Sequence, residues 1–162
     1  MFSRTITTVF GILFVIGIGR PVAASAADAC SLLTEARVST VLGVSVGAGQ
    51  HIAVNNSLIC GWSQAGSTTS GSKRVVVDIL DAIGSAKPVD RFNRSKTPVE
   101  GITKTPVSGI GDDAFYVTTP GIGTALMIKK GNSVIQIRVY GFPVDEIKEK
   151  EKALAQDALP KL

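Results

Sequence analysis

The chain has 162 residues, 44% of them hydrophobic and 19% charged, with a formal net charge of +4. The hydrophobic fraction is too high, and the charge too low, for intrinsic disorder. Two cysteines are too few for a disulfide-dense scaffold or a four-cysteine zinc site.

The first 26 residues read as a leader. Arg4 supplies a small positive region, Val9 to Ile18 is a ten-residue apolar run, and Ala24-Ser25-Ala26 is a small-x-small cleavage site. A helix that spans a bilayer needs ~20 apolar residues, and Arg20-Pro21 ends this run first. The reading is a secretory signal peptide over 1–26 and a single domain over 27–162, with no membrane span after cleavage. Loss of Arg4 and Arg20 takes the formal charge from +4 to +2, which gives no case for nucleic-acid binding. The expected location is exported, periplasmic or extracellular.

Cys30 has two readings. It is either the lipidated first residue of a lipoprotein or one half of a disulfide with Cys60. The charged Asp28 close before it fits lipoprotein cleavage badly, and an exported chain permits the disulfide. The second reading is favoured, and lipid anchoring at Cys30 is not expected. Closing the 30-to-60 loop would contribute roughly 3–4 kcal/mol on the chain-entropy argument.

Thr34 caps a short first helix, with Glu35 in its first turn where the helix dipole favours an acid. Leu33 and Val38 have the spacing of a hydrophobic staple. Val38, Val41 and Leu42 form one face, and Gly43 ends the helix. Leu58 to Gln64 reads as a strand containing Cys60 and Trp62. Ala65 to Ser72 is a loop of small residues. Arg74 to Leu80 is so rich in aliphatic and β-branched residues that it reads as a central strand buried on both faces. Pro88 opens a second helix through about Lys96, with Val89 and Phe92 inward. Strands follow at Ala114–Thr118, Thr124–Lys129 and Val134–Tyr140, the last two joined by a hairpin at Lys130-Gly131-Asn132-Ser133. In the last strand Ile135, Ile137 and Val139 alternate with Gln136, Arg138 and Tyr140, giving one buried and one polar face. Pro143 to Leu159 reads as a helix with Val144, Ile147, Leu154 and Ala158 on one side and Glu146 paired with Lys150 on the other. The order predicts an α+β domain, a mostly antiparallel sheet packed by two or three helices.

Most chemical motifs fail on context. Gly43-Val44-Ser45-Val46-Gly47 matches a nucleophile elbow, but it follows a helix, and the only histidine, His51, follows without the required order of acid and base. Gly109-Ile110-Gly111-Asp112-Asp113-Ala114 matches a dinucleotide fingerprint but leads into a strand, and its two aspartates would repel phosphate. The better reading is a structural turn in which Gly109 and Gly111 take positive φ and Asp112 caps a loop amide. Asp112 and Asp113 lack the spaced oxygens of a calcium loop. No metal site and no cofactor is expected. Lys73, Arg74, Lys87, Arg91, Arg94, Lys96 and Lys104, interleaved with acids, read as a solvated basic surface.

Several features together resemble a known group. They are Cys30-Ser31-Leu32-Leu33-Thr34 before a short helix, Cys60-x-Trp62 in a strand, the Val107-x-Gly109-Ile110-Gly111-Asp112-x-Ala114 segment, and a final amphipathic helix. The chain resembles small secreted or lipid-anchored bacterial domains of unknown function, many of them mycobacterial and other actinobacterial lipoproteins. These are related to the extracellular sensor portion of a mycobacterial serine/threonine kinase. The resemblance implies a Cys30–Cys60 disulfide and a sheet flanked by helices, similar to the PsbP-like architecture. It brings no catalytic residues.

The expected function is an exported, non-catalytic binding or accessory module of the bacterial envelope. Its partner would be a small ligand, a lipid or an envelope protein. The alternatives are a small secreted hydrolase using Asp112 or Asp113 with Ser45 or His51, which requires these groups to converge, and a structural envelope component.

Overall fold

The structure, a computed structural model, describes residues 28–53, 56–67, 71–80 and 85–162. The expected signal peptide and positions 68–70 of the small-residue loop lie outside the described residues.

After a 3-10 turn, Ala29–Ser31, the elements are α1 (Glu35–Leu42), β1 (Gln50–Ala53), β2 (Asn56–Ser63), β3 (Arg74–Ile79), α2 (Pro88–Ser95), β4 (Thr103–Val107), β5 (Asp113–Thr119), β6 (Gly123–Lys130), β7 (Ser133–Tyr140) and α3 (Val144–Ala158), which runs into a second 3-10 turn, Leu159–Lys161. The Thr34 hydroxyl accepts from the Arg37 N–H at 3.3 Å and so starts α1. The seven strands form one sheet in the order β1-β2-β3-β7-β6-β5-β4, and every neighbouring pair is antiparallel. Two meanders, β1–β3 and β4–β7, therefore join side by side at β3 and β7. This is an α+β fold: one antiparallel sheet with three helices.

One face of the sheet is fully dressed. Trp62, Val75, Val77, Leu126, Ile128, Ile135 and Ile137 pack there with Val38 and Leu42 of α1 and Ile147, Leu154 and Ala158 of α3. Each of the valine, leucine and isoleucine side chains contributes about 1.5–3 kcal/mol of burial. Among the described residues the other face carries only α2. Phe92 is fully buried and meets Phe115 edge-on, with ring centroids 5.1 Å apart, above Met127 and Val134. An eight-residue helix is too short to roof seven strands, so among the described residues part of this face stays open.

That geometry corrects the reading of β3. The strand was expected to be buried on both faces. Val75, Val77 and Ile79 are buried, whereas Val76 and Asp78 are only half-buried and Arg74 is exposed. The two edge strands, β1 and β4, gave no clear pattern in the sequence. Pro106 inside β4 lacks an N–H and fits because β4 is an edge. In α3, Val144 is 41% exposed, while Glu151 is buried on the stripe with Ile147 and Leu154. Lys150 does not serve as the expected partner of Glu146. Its Nζ donates to the Val41 carbonyl at 3.0 Å and rests over the Phe142 ring.

Candidate functional site: the open half of the sheet

The residues singled out from sequence are structural or scattered. Cys30 and Cys60 are disulfide-bonded, with Cα atoms 5.0 Å apart. The bond ties the 3-10 turn to β2 beside Trp62, and Cys60 is fully buried. Replacing both cysteines by serine should cost about 3 kcal/mol, because the unfolded chain regains the entropy of an open loop. Urea titration of the oxidised and double-serine proteins measures the difference. Equal midpoints would show that the bond does not stabilise the fold.

Gly109 and Gly111 have φ of 77° and 59°. The Asp112 N–H donates to the Lys129 carbonyl at 2.9 Å, and Asp112 Oδ2 accepts from the Gly131 N–H at 2.7 Å. The β4–β5 loop is thus clipped to the β6–β7 hairpin. Asp113 pairs instead with Lys96 at the end of α2.

His51 Nε2 lies 3.0 Å from Asp28 Oδ1, which also accepts from the Cys30 N–H at 2.8 Å. The His51 bond, and then the Cys30 amide, hold the Asp28 carboxyl below its usual range. Asp28, Cys30 and His51 have ligand atoms within 4.8 Å of one another, but a disulfide sulfur is no thiolate donor, and two exposed ligands do not make a metal site.

His51 on β1 and Asp113 on β5 are separated by five strand spacings of ~4.8 Å each. Ser45 lies after α1, where its carbonyl accepts from the Ala65 N–H at 3.0 Å. The structure does not bring the proposed hydrolytic residues together.

What it does assemble is the uncovered half of the second sheet face. Register places Ser63, Arg74 and Tyr140 in one row across β2, β3 and β7. Gly61, Val76 and Arg138 form the next row, and Ile59, Asp78 and Gln136 the third. The third row continues to Met127 and Phe115, which lie in the cluster under α2, and there the roof begins. Gly61 leaves a dip in the middle row that Ile52 fills. A Cβ on Gly61 would stand 3.2 Å from Ile52 Cδ1. The result is a cleft of about 390 Å³ lined by Ile52, Ile59, Arg74, Val76, Asp78, Gln136, Arg138 and Tyr140. A smaller depression of about 180 Å³ adjoins it across Arg138 and Tyr140, floored by Val117 and Ala125 and rimmed by Ile122, which is 71% exposed.

The polar groups of this cleft are ordered among themselves. The Arg74 guanidinium stacks over the Tyr140 ring, 4.3 Å from its centroid, a favourable cation–π contact. With the Gln136 amide assigned by its hydrogen bonds, its oxygen accepts from Arg138 Nη2 at 3.1 Å and Nε at 3.3 Å. Neither arginine has an ion-pair partner among the described residues. Burial raises the Asp78 carboxyl above its usual range, against the opposing pull of Arg91 and Arg138.

The sequence showed half of this site. The alternation of Gln136, Arg138 and Tyr140 was visible in β7. The matching Arg74, Val76 and Asp78 were hidden because Val76 completes a run of three valines, and a continuous run reads as two buried faces.

On the far side of β7 lies an ionisable group that the sequence reading missed. β6–β7 pairing stops at Leu126↔Ile137, so Val139 lies two residues beyond the ladder. Its N–H is met by the fully buried Glu151, whose Oε1 accepts at 3.1 Å. Glu151 Oε2 has no hydrogen-bond partner among the described residues. Burial pushes this carboxyl up to about 8, with the Val139 amide, Arg138 and Lys148 opposing.

No known protein family, curated protein or solved structure matches the chain. Among the described residues no helix is long and apolar enough to cross a membrane. The disulfide is consistent with an oxidising, exported location.

Proposed function

We propose that the protein is an exported binding module of the bacterial envelope, without catalysis, and that the open half of the sheet is its binding surface. The observation that carries this reading is a cleft of about 390 Å³ in which aliphatic side chains are set among two arginines that lack ion-pair partners among the described residues. Ligand sites combine an apolar lining with a few convergent polar groups in this way, in volumes of about 300–1,000 Å³. The disulfide and the leader reading support export. The non-catalytic part is supported by the separate engagement of Asp112 with Gly131, Asp113 with Lys96 and His51 with Asp28. The resemblance to secreted and lipoprotein-like bacterial domains points the same way.

The test is native mass spectrometry of the protein purified from the envelope of its own host. Wild-type protein should carry a bound species that the Arg74→Glu/Arg138→Glu variant loses, while a control variant outside the cleft, Arg37→Glu, keeps it. A species retained equally by all three proteins, or carried by none, would sink the assignment of this face.

A further inference from the structure

Resting on that reading, we infer that the cleft takes a single-chain amphiphile with one negative charge, of the fatty-acid carboxylate class, as a monomer. Arg74 and Arg138 hold its head, and its chain lies along Val76, Ile59 and Ile52.

The head position follows from register. Arg74 pairs with Tyr140, and Val76 pairs with Arg138. The two arginines are therefore diagonal neighbours on one face of adjacent antiparallel strands, with Cα atoms roughly 7–8 Å apart, a span that two long side chains close on a single anion. Each guanidinium is already oriented, one by Tyr140 and one by Gln136, so little rotamer entropy remains to be lost on binding. Each still has N–H groups to donate, because Arg carries five, and carboxylates are the planar acceptors that this fork matches.

The charge follows from the lining. The cleft lining holds Arg74, Arg138 and one acid, Asp78, an excess of one positive charge; Arg91, which also acts on Asp78, lies outside that lining. A single negative charge on the ligand balances that excess, whereas a second would meet Asp78.

The chain position follows from the floor. Gly61 and Val76 share the row of Arg138, and Ile59 and Ile52 extend the apolar surface towards the sheet edge. Ile52 is 57% exposed, and an alkyl chain laid against it would gain by covering it. Each methylene removed from water is favourable by a fixed increment, so the chain, and not the head alone, should set the affinity.

The probes are sodium dodecanoate below its micelle concentration, dodecyltrimethylammonium with the same chain and the opposite charge, acetate with the head alone, and phosphatidylglycerol vesicles. Calorimetry should show saturable one-to-one binding of dodecanoate and none of the trimethylammonium compound or acetate. Arg74→Gln/Arg138→Gln should weaken dodecanoate at least tenfold, and Ile52→Ser severalfold, with thermal melts unchanged. Dodecyl phosphate, with its additional charge, should bind no tighter. Binding of the cationic analogue, wild-type affinity in the arginine variant, tighter binding of dodecyl phosphate, or vesicle binding that equals monomer binding would each overturn the inference. If dodecanoate does not bind but the envelope-purified protein keeps a species that requires the arginines, the ligand class is wrong and the binding face stands. If neither is seen, both fall.

Discussion

Glu151→Gln should make the protein more stable than wild type at pH 9 and leave it close to wild type at pH 4. Unfolded, the Glu151 carboxyl releases its proton near 4.5, and folded it holds the proton to about 8. Between those values the folded state binds one more proton than the unfolded state, so stability falls as pH rises. The contribution is fully present below 4.5 and gone above about 8. The slope is at most about 1.4 kcal/mol per pH unit, and the span corresponds to a loss on the order of 3–5 kcal/mol across the window. Glutamine mimics the protonated acid: its oxygen can still accept the Val139 N–H, and it never ionises. Groups that titrate elsewhere act equally in both proteins, so the difference between them isolates position 151. The Tyr116 phenol, raised to about 12 by burial and then by Glu151 and Glu149, stays neutral. Urea midpoints at half-unit steps from pH 4 to 9 check the prediction. A difference between the two proteins that does not change with pH would show that Glu151 does not hold a proton in the fold.

The retention of such a group has a structural reason. β7 needs a partner for the Val139 N–H once β6 has diverged from it, and an unmet buried amide costs about 1–3 kcal/mol. The carboxyl of α3 fills that place. Position 151 was legible in principle, because Ile147, Glu151, Leu154 and Ala158 follow the helical stripe, and a charged residue on the buried stripe is the signal. Reading only the apolar members of the stripe passed over it. Val144 failed for the opposite reason. It belongs to the apolar pattern, but it is the first residue of α3 and stands out of the core with 41% exposure.

The same contrast runs through the sheet. Period-two alternation revealed β7, and the Gly131-Asn132 turn revealed its hairpin with β6, because both signals are local. The meander order was not legible. That β3 sits beside β7 and not beside β4 depends on contacts between segments more than fifty residues apart, and no local propensity encodes them. The open face follows from that pairing together with the shortness of α2. The basic middle segment read from sequence divides accordingly. Arg74 lines the cleft, Lys96 pairs with Asp113 at the end of α2, and Lys104 reaches the Thr97 carbonyl near the other edge. Adjacency in sequence made one patch of residues that the fold sends to different places.

The β4–β5 corner allows a graded test of what its glycines do. Gly109 has positive φ but open space where a Cβ would stand, whereas a Cβ on Gly111 would lie 2.5 Å from the Lys129 carbonyl oxygen and 2.8 Å from Ile128 Cγ2. Gly109→Ala should therefore cost only the backbone term, about 1–2 kcal/mol. Gly111→Val carries that term for a β-branched residue and must also push a strand backbone aside, which adds roughly 1–3 kcal/mol of overpacking. Its expected total is about 3–5 kcal/mol, since the displacement also strains the Asp112 N–H bond to Lys129 and the Asp112 carboxylate bond to Gly131. Gly111→Ala keeps the clash with less bulk and serves if the valine variant does not fold. Asp113→Asn removes only a partly exposed ion pair with Lys96 and should stay within about 1 kcal/mol of wild type. Urea unfolding of the four variants gives the order. A Gly111→Ala or Gly111→Val midpoint equal to that of wild type would mean that the corner does not hold β5 against β6. A large loss in Asp113→Asn alone would move the weight of the turn from its glycines to its second aspartate.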